Sequence, residues 1–189
     1  MISKIFSKLF SIYNKSVLEK KLKSLGRLGF NSQIQYDIKL SFPEKIRIGN
    51  NVYIGPSATL NGLGEIEVKD GSIIGPNVYI HTANHRFRDA EYLPYDQFHV
   101  FKKVTIEENV WIGANVCISP GTTIGEGSII GMGAVVSGKI PPLSIVVGNP
   151  CKVISKRDEE HYFKLKKQNK NYLEAKSKGI ISPNYFDSI

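Results

Sequence analysis

The sequence is poor in sulfur and indole: its 189 residues include two cysteines, Cys117 and Cys151, two methionines and one tryptophan. Two thiols cannot make a disulfide framework, which excludes a small secreted fold held by disulfides. There is no long uninterrupted apolar run either. Lysines break the N-terminal apolar stretch, which argues against a membrane-spanning helix and a signal-peptide core. These absences lead to the expectation of a reduced, cytoplasmic protein. Charge is unevenly placed. The net charge is +8, yet residues 1–30 carry seven Lys/Arg against one Glu, residues 151–189 nine against five acids, and the middle nine against eleven. The basic character belongs to the two ends, so binding to nucleic acid, which needs a basic stripe on the folded body, is not expected. With 41% hydrophobic residues the chain suffices for one compact domain with extensions.

What the sequence does have is a period of six. From Ile106 a branched aliphatic residue recurs at every sixth position (Ile106, Ile112, Ile118, Ile124, Ile130, Val136). A small or branched residue stands two places before each (Val104, Val110, Val116, Thr122, Ser128, Ala134). A helix would recur at three and four, and a single strand would simply alternate. A pure period of six predicts a short strand, a corner and another short strand, with both apolar side chains of a rung on one face. The register is also legible from Ile48 through Ile54 to Leu60. It takes an eight-residue step at Asn61, Gly62 and Gly64, resumes over Val68, Ile74 and Ile80, and then vanishes until Val104. It is expected to close at Ile140-Pro141-Pro142, where two prolines lack the donors of a further rung. No single rung can bury its apolar face, so stacked coils sharing one column of Ile and Val are the expected solution. Glycines after Ile48, Ile54, Ile74, Ile112, Ile124 and Ile130 are expected at corners, in backbone conformations that other residues resist. Gly125, Gly127, Gly131 and Gly133 superficially suggest a phosphate loop, but they fall on the corner register and no Lys-Ser/Thr follows.

Three segments surround or interrupt the repeat. Residues 1–30 form a basic amphipathic segment. A helix over 1–25 places Ile2, Ile5, Phe6, Leu9, Phe10 and Tyr13 on one side and Lys4, Lys8 and Lys15 on the other. Its apolar side either packs on the end of the main domain, the commoner use, or rests on an anionic membrane surface. Residues 31–154 form the repeat domain, interrupted over 81–103 by a polar and aromatic loop, and so long an excursion inside a compact domain is usually functional. Residues 155–189 form a helical tail. One helix is expected there from Glu159 to Lys178, with Tyr162, Leu165, Tyr172 and Leu173 on one side and Gly179 at its end.

The hexads of form I-G-x-x-V-x, the phrase NVWIGANVCISPGTTIGEGSIIGMGAVVSGKIPP and the closing GNPCKVI (Gly148 to Ile154) resemble the hexapeptide-repeat acyltransferases. The likeness is to the maltose and galactoside O-acetyltransferases and to polysaccharide O-acetyltransferases, and it extends from Ile46 to Ile154. It implies an all-β fold, a left-handed parallel β-helix with three hexads to a coil, to which the residues outside the likeness add an N-terminal amphipathic helix and a C-terminal helix and the break in the repeat adds one long protruding loop. It also implies a homotrimer that binds acetyl-coenzyme A (acetyl-CoA) between neighbouring subunits. The hand comes from the resemblance alone, since parallel crossovers generally favour the opposite one.

Acetyl transfer from a thioester to a sugar hydroxyl needs a base for the hydroxyl proton, donors for the tetrahedral oxyanion and a site that aligns both reactants. A neutral imidazole is the natural base near neutral pH. Of four histidines, His161 lies in the charged tail, leaving His81, His85 and His99. The resembled enzymes place their catalytic histidine at the start of the long loop, in a phrase such as T-x-H-P. Here Thr82-Ala83-Asn84-His85 puts His85 there, with Arg86 in place of the proline. The resemblance further implies that the Ala114 backbone amide polarises the thioester carbonyl and that Met132, Ser137 and Lys152 line the coenzyme channel. Lys139 stands one place beyond the family's channel lysine, because Ser137-Gly138-Lys139 replaces Thr-Lys. Asn84, His99 and Trp111 are candidates for the acceptor site; Trp111 either walls it or packs beneath the loop. Asp89 and Glu91 are candidates to orient the imidazole. Phe87, Tyr92, Tyr95, Phe98 and Phe101 suit stacking on a sugar or clamping the loop to a neighbour. Gly55 stands where the galactoside enzymes hold their sugar with asparagine, so an acceptor other than a galactoside or maltose is expected.

The function expected on these grounds is acetyl-CoA-dependent O-acetylation of a sugar hydroxyl in bacterial surface polysaccharide biosynthesis, with no metal and no acyl-enzyme. N-acetylation of a nucleotide-linked amino sugar is the alternative. Two other classes stand further off. His81 and His85 have the spacing of a zinc pair, but no third histidine lies on a neighbouring rung. A scaffold or membrane-docking module would need the fold alone. The expected partners are acetyl-CoA, a sugar or glycan acceptor and further copies of the chain, with peripheral contact at the inner membrane surface through the basic helix as a further candidate.

Overall fold

The computed structural model describes residues 2–182; the side chains of residues 1–6, 8 and 11 and all of residues 183–189 lie outside that description, among them the predicted helix positions Ile2, Lys4, Ile5, Phe6 and Lys8. The repeat folds as a left-handed parallel β-helix of about six turns. Each of the first five coils contributes one short strand to each of three faces, and the sixth contributes to the first two. The first face stacks Arg27–Leu28, Ile46–Ile48, Ile66–Val68, Val104–Ile106, Thr123–Ile124 and Lys139–Ile140. The second stacks Gln33–Ile34, Tyr53–Ile54, Ile73–Ile74, Trp111–Ile112, Ile129–Ile130 and Ser144–Val147, with Lys152–Lys156 added antiparallel at its edge. The third stacks Lys39–Ser41, Thr59–Asn61, Tyr79–His81, Cys117–Ile118 and Val135–Val136.

Pairing is in register, so that Ile74, Ile112 and Ile130 form one column and Ile80, Ile118 and Val136 another. Both apolar residues of each rung point inward: Val104, Ile106, Val110, Ile112, Val116, Ile118, Ile124, Ile130, Ala134 and Val136 are all buried. Each buried Val or Ile contributes about 1.5–3 kcal/mol of transfer free energy, so the column rather than any local propensity holds the coils. At three polar rung positions the hydroxyl is satisfied inside, whereas the buried Ser144 hydroxyl has no partner among the described residues. Ser72 donates to Glu107 O at 2.8 Å, Thr122 to Ser119 O at 2.7 Å and Ser128 to Pro141 O at 3.0 Å.

The corner glycines work differently from expectation. Those following the rung aliphatics are not in the left-handed region; that conformation falls two places later, at Asn51, Ser57, Asn77, Asn109, Asn115, Gly127 and Gly133. What the former require is closeness of the next coil. A Cβ on Gly113 would stand 2.7 Å from Met132 N, and one on Gly75 2.8 Å from the Gly113 carbonyl carbon. At these glycine corners the hexad thus needs a residue without a side chain first and, two places on, an αL-tolerant residue, often asparagine.

The solenoid begins at Arg27, earlier than the six-period can be read, and it continues past the two prolines. Pro141 and Pro142 sit in a corner, and Ser144–Val147 adds another rung with Val146 fully buried. A corner asks for no ladder donor, which is why proline does not end the repeat there. Helix α1 (Ile2–Lys23) turns a stripe with Leu18 and Leu22 onto the first coil, joined by Leu25 beyond its end, whereas Leu9, Phe10, Ile12 and Tyr13 are more than half exposed. Of the apolar stripe expected to pack, the described side chains Leu9, Phe10 and Tyr13 do not; Leu18 and Leu22, on the other side of the helix, do. The tail is two helices rather than one, α2 (Glu159–Lys167) and α3 (Tyr172–Ser177). Asn169 enters the left-handed region between them, and the Asn171 side chain caps α3 by accepting from Glu174 N–H at 3.1 Å.

Candidate active site

After Tyr79–His81 the chain leaves the stack as a hairpin, Ala83–His85 pairing antiparallel with His99–Phe101 so that His85 faces His99. The hairpin is anchored at its base by Thr82, fully buried, whose hydroxyl donates to Asn61 O at 2.6 Å and accepts from Gly64 N–H at 2.8 Å. From that base the side chain of Asn84 folds back to accept the His85 N–H at 2.9 Å. The His85 imidazole stacks on Tyr95 with ring centroids 3.7 Å apart and meets His99 at 4.5 Å. Its Nδ1 is buried without a hydrogen-bond partner among the described residues. Neither Asp89 nor Glu91 is bonded to it. Nε2 is the ring nitrogen left open to a ligand.

The carboxylate that organises the loop is Asp96. Its buried side chain pairs with Arg86, whose Nε donates at 2.6 Å, and it accepts from Phe98 N–H at 3.0 Å and Glu91 N–H at 3.4 Å. The Arg86 guanidinium beside it holds the Asp96 carboxyl below the usual carboxylate range, and the same bond raises Arg86. Arg86 also lies over the Phe98 ring at 4.5 Å. The arginine that replaces the family's proline is thus the residue that fastens the loop across its own width. Sequence reasoning did not single out Asp96. The available signal was an acid ten residues past an arginine in an aromatic loop, too weak to select one of three acids.

Beside His85 opens a cleft of about 380 Å³, lined by Asn84, Arg88, Val100, Lys102 and Pro120 among others. The other candidates lie elsewhere. Ala114 and Met132 occupy successive coils of the corner between the second and third faces, linked by Gly133 N–H donating to Ala114 O at 2.9 Å. On the two coils below, that position is Pro56 and Pro76, which have no N–H; Ala114 is where the corner column first carries an amide hydrogen after them. Ser137 lies at the corner between the third and first faces, Lys139 on the first face and Lys152 on the added edge strand, the two lysines exposed. Trp111 points outward from the second face and is 53% exposed. It neither walls the His85 cleft nor packs beneath the loop within one chain.

The structure therefore gathers Asn84, His85 and His99 at one edge of the third face and Ala114 with Met132 at the other. A strand rise of about 3.3 Å per residue puts those edges roughly 17 Å apart. Among the described residues, no group of three His, Cys, Asp or Glu is placed to hold a metal ion, and Cys117 and Cys151 are both free thiols. Among the described residues no helix is long and apolar enough to cross a membrane.

The chain is similar to known proteins in sequence and in fold. The family described as bacterial transferase hexapeptide (six repeats) matches residues 103–138, and that described as hexapeptide repeat of succinyl-transferase matches residues 45–82. The chain is 35% identical over 140 residues to the galactoside O-acetyltransferase of Escherichia coli (strain K12), covering 72% of this chain and 68% of that protein. Among solved structures it resembles a hexapeptide-repeat-containing acetyltransferase of Vibrio cholerae complexed with acetyl-CoA, with 32% identity, TM-score 0.66 and coverage of 73% of this chain and 75% of the other. It also resembles the N-acyltransferase AntD of Bacillus cereus in complex with dTDP and 3-hydroxybutyryl-CoA, with 25% identity, TM-score 0.65 and coverage of 80% and 94%.

Proposed function

Because the chain belongs to the hexapeptide-repeat acetyltransferases, we propose that it moves the acetyl group of acetyl-CoA onto a sugar hydroxyl, with His85 as general base. The observation that carries the role of His85 is its mounting: a hairpin root buried in the coil stack, a ring held against Tyr95, and one nitrogen open beside a cleft. Nε2 takes the acceptor proton as the hydroxyl oxygen attacks the thioester carbonyl. The Ala114 N–H stabilises the oxyanion. Collapse breaks the C–S bond, the coenzyme thiolate leaves, and the imidazolium returns the proton to it. Met132, Ser137, Lys139 and Lys152 are proposed to line the coenzyme channel, and Asn84 and His99 to contact the acceptor.

A homotrimer follows from the same reading. Base and amide stand at opposite edges of one face, so the reactants meet only if the His85 edge of one subunit faces the Ala114 edge of its neighbour. The test is His85→Ala: a folded trimer by light scattering whose acetyl-CoA-dependent thiol release falls at least 100-fold. Near wild-type turnover would overturn the assignment.

N-acylation of a nucleotide-linked amino sugar is the second reading, supported by the likeness to AntD. Product analysis separates the two, since an O-acetyl ester is cleaved by mild alkali and an N-acetyl amide is not. A place in surface polysaccharide synthesis agrees with a basic helix α1 that leaves Leu9, Phe10, Ile12 and Tyr13 uncovered and carries the exposed Lys15, Lys20 and Lys23. We assign it to the surface of an anionic membrane. Salt-sensitive sedimentation with phosphatidylglycerol vesicles, abolished by Phe10→Glu, is the expected result; retention of the variant on the vesicles would refute it.

A further inference from the structure

Away from His85, the tail makes a second cleft that the mechanism does not use. It is anchored by two side chains with no part in the β-helix repeat. Tyr162 is buried, its hydroxyl donating to Glu126 at 2.8 Å and accepting from Asn109 Nδ2 at 3.2 Å, and Leu173 is 2% exposed. Lys166 bridges Glu108 and Glu126 of successive coils at 2.8 and 2.5 Å. These contacts fix α2 and α3 along the corner between the first and second faces. Between the tail and the second face remains a cleft of about 380 Å³, in the size range of small-molecule sites.

Its lining is specific. Trp111 on the coil side and Tyr172 on the tail side both border it, 53% and 54% exposed, although the tail that carries Tyr172 is firmly docked. Amide side chains of Asn51, Asn109, Asn169 and Asn171 also line the cleft, and Asn51, Asn109 and Asn171 each keep one amide group outside the bonds they make with Asn31, Tyr162 and Glu174. Flat aromatic faces interleaved with amides match a polyhydroxylated ring, which offers C–H faces to the rings and hydroxyls to the amides. The charges disfavour a phosphorylated ligand. Lys166 is committed to two glutamates, Arg157 donates to Gly127 O at 3.2 Å and lies over Tyr162, and the exposed Lys170 is set against Glu108 and Glu174, which also line the cleft. Three residues along the chain from Trp111 is Ala114, about 10 Å at strand rise and so within one or two sugar units of the proposed thioester position.

We propose that the cleft between the tail and the second face is a glycan subsite, in which a neutral sugar unit of the acceptor stacks between Trp111 and Tyr172 while the neighbouring unit reaches the acetyl group. This rests on the acetyltransfer reading and deepens it: the acceptor is an oligosaccharide or polymer rather than a free monosaccharide, and the tail sets its specificity.

Trp111 is the only tryptophan, so its fluorescence reports the cleft directly. The intact protein is titrated with gluco-, galacto- and N-acetylglucosamine-based oligosaccharides of one to four units, with 3′-phospho-ADP as the competing ligand class. The expected result is a saturable change with at least one glycan of two or more units, weakened about 10-fold or more by Tyr172→Ala and retained by Tyr172→Phe. In transfer assays Tyr172→Ala raises the glycan KM to the same extent, with kcat and the acetyl-CoA KM within about twofold. Circular dichroism and tail protection from trypsin show that the exposed substitution leaves the tail docked; should Tyr172→Ala loosen it, Asn169→Gly, which removes the amide and keeps the left-handed backbone, supplies the same comparison. Silence with every glycan, a response to 3′-phospho-ADP alone, or glycan affinity indifferent to both substitutions overturns the subsite. Failure of the acetyltransfer reading looks different: no thiol release from acetyl-CoA with any acceptor, whatever the fluorescence does.

Discussion

The imidazole of His85 lies nearly parallel to the phenol ring of Tyr95, their planes 13° apart. The partner of the proposed base is thus an aromatic face, and the acids suggested by position, Asp89 and Glu91, make no hydrogen bond to it. Stacking fixes the plane of the ring without assigning its proton.

Tyr95 is accordingly a positioning residue. Tyr95→Ala should lower kcat about 10-fold, the equivalent of an aromatic contact of about 1.4 kcal/mol, while leaving the acetyl-CoA KM unchanged. Tyr95→Phe should stay within twofold. An equal loss in both variants would mean that the hydroxyl, and not the stacked face, carries the effect.

The Arg86–Asp96 pair should make loop order depend on pH only in acid. The Asp96 carboxyl is held below its ordinary value of 3.8, first by the Arg86 hydrogen bond and then by the Phe98 and Glu91 amides. A depressed carboxylate contributes stability that is complete above the unfolded pKa and is lost as pH falls through the folded one. Asp96→Asn should therefore depress activity by a constant factor from about pH 5 to 9. Protease cleavage within residues 86–98 of the wild type should begin only below about pH 4. A defect of Asp96→Asn that appears only above neutrality would contradict the pairing.

The two kinds of corner glycine should separate in denaturant. Gly113→Ala drives a methyl to 2.7 Å from Met132 N and should cost about 3 kcal/mol. Gly133 has nothing within 4 Å of its virtual Cβ but φ of +72°, so Gly133→Ala should cost about 1 kcal/mol and Gly133→Asn less. Chemical unfolding midpoints of the three variants check the order.

Tail docking should fail in alkali. Burial and the Glu126 carboxylate push the Tyr162 hydroxyl up to about 12, and Glu108 and Glu126 raise Lys166. A raised pKa contributes stability that is present below the unfolded value and is lost as pH rises through the folded one. Hydrogen exchange of α2 and α3 should therefore quicken between about pH 10 and 12 while the coils stay protected. Tyr162→Phe, which removes about 1 kcal/mol of hydrogen bonding, should quicken it already at neutral pH. Identical exchange in variant and wild type would exclude the anchoring role.

The coils from Val104 to Val136 were legible because each side chain there answers to one constraint, the inward column, and that constraint repeats every six residues. The catalytic candidate was legible for the opposite reason: His85 stands where the repetition stops, in a phrase that resembles a known one. Asp96 could not be chosen from Asp89, Glu91 and Asp96, because only the fold of the hairpin decides which acid lies under Arg86. The same holds for α1, whose two apolar stripes look continuous in sequence until the end of the first coil selects one of them. Position along the chain determined the stacking, since neighbours in a repeat are fixed by the period. Which residues meet across the loop and the tail was decided only in three dimensions, because those contacts join segments with no shared period.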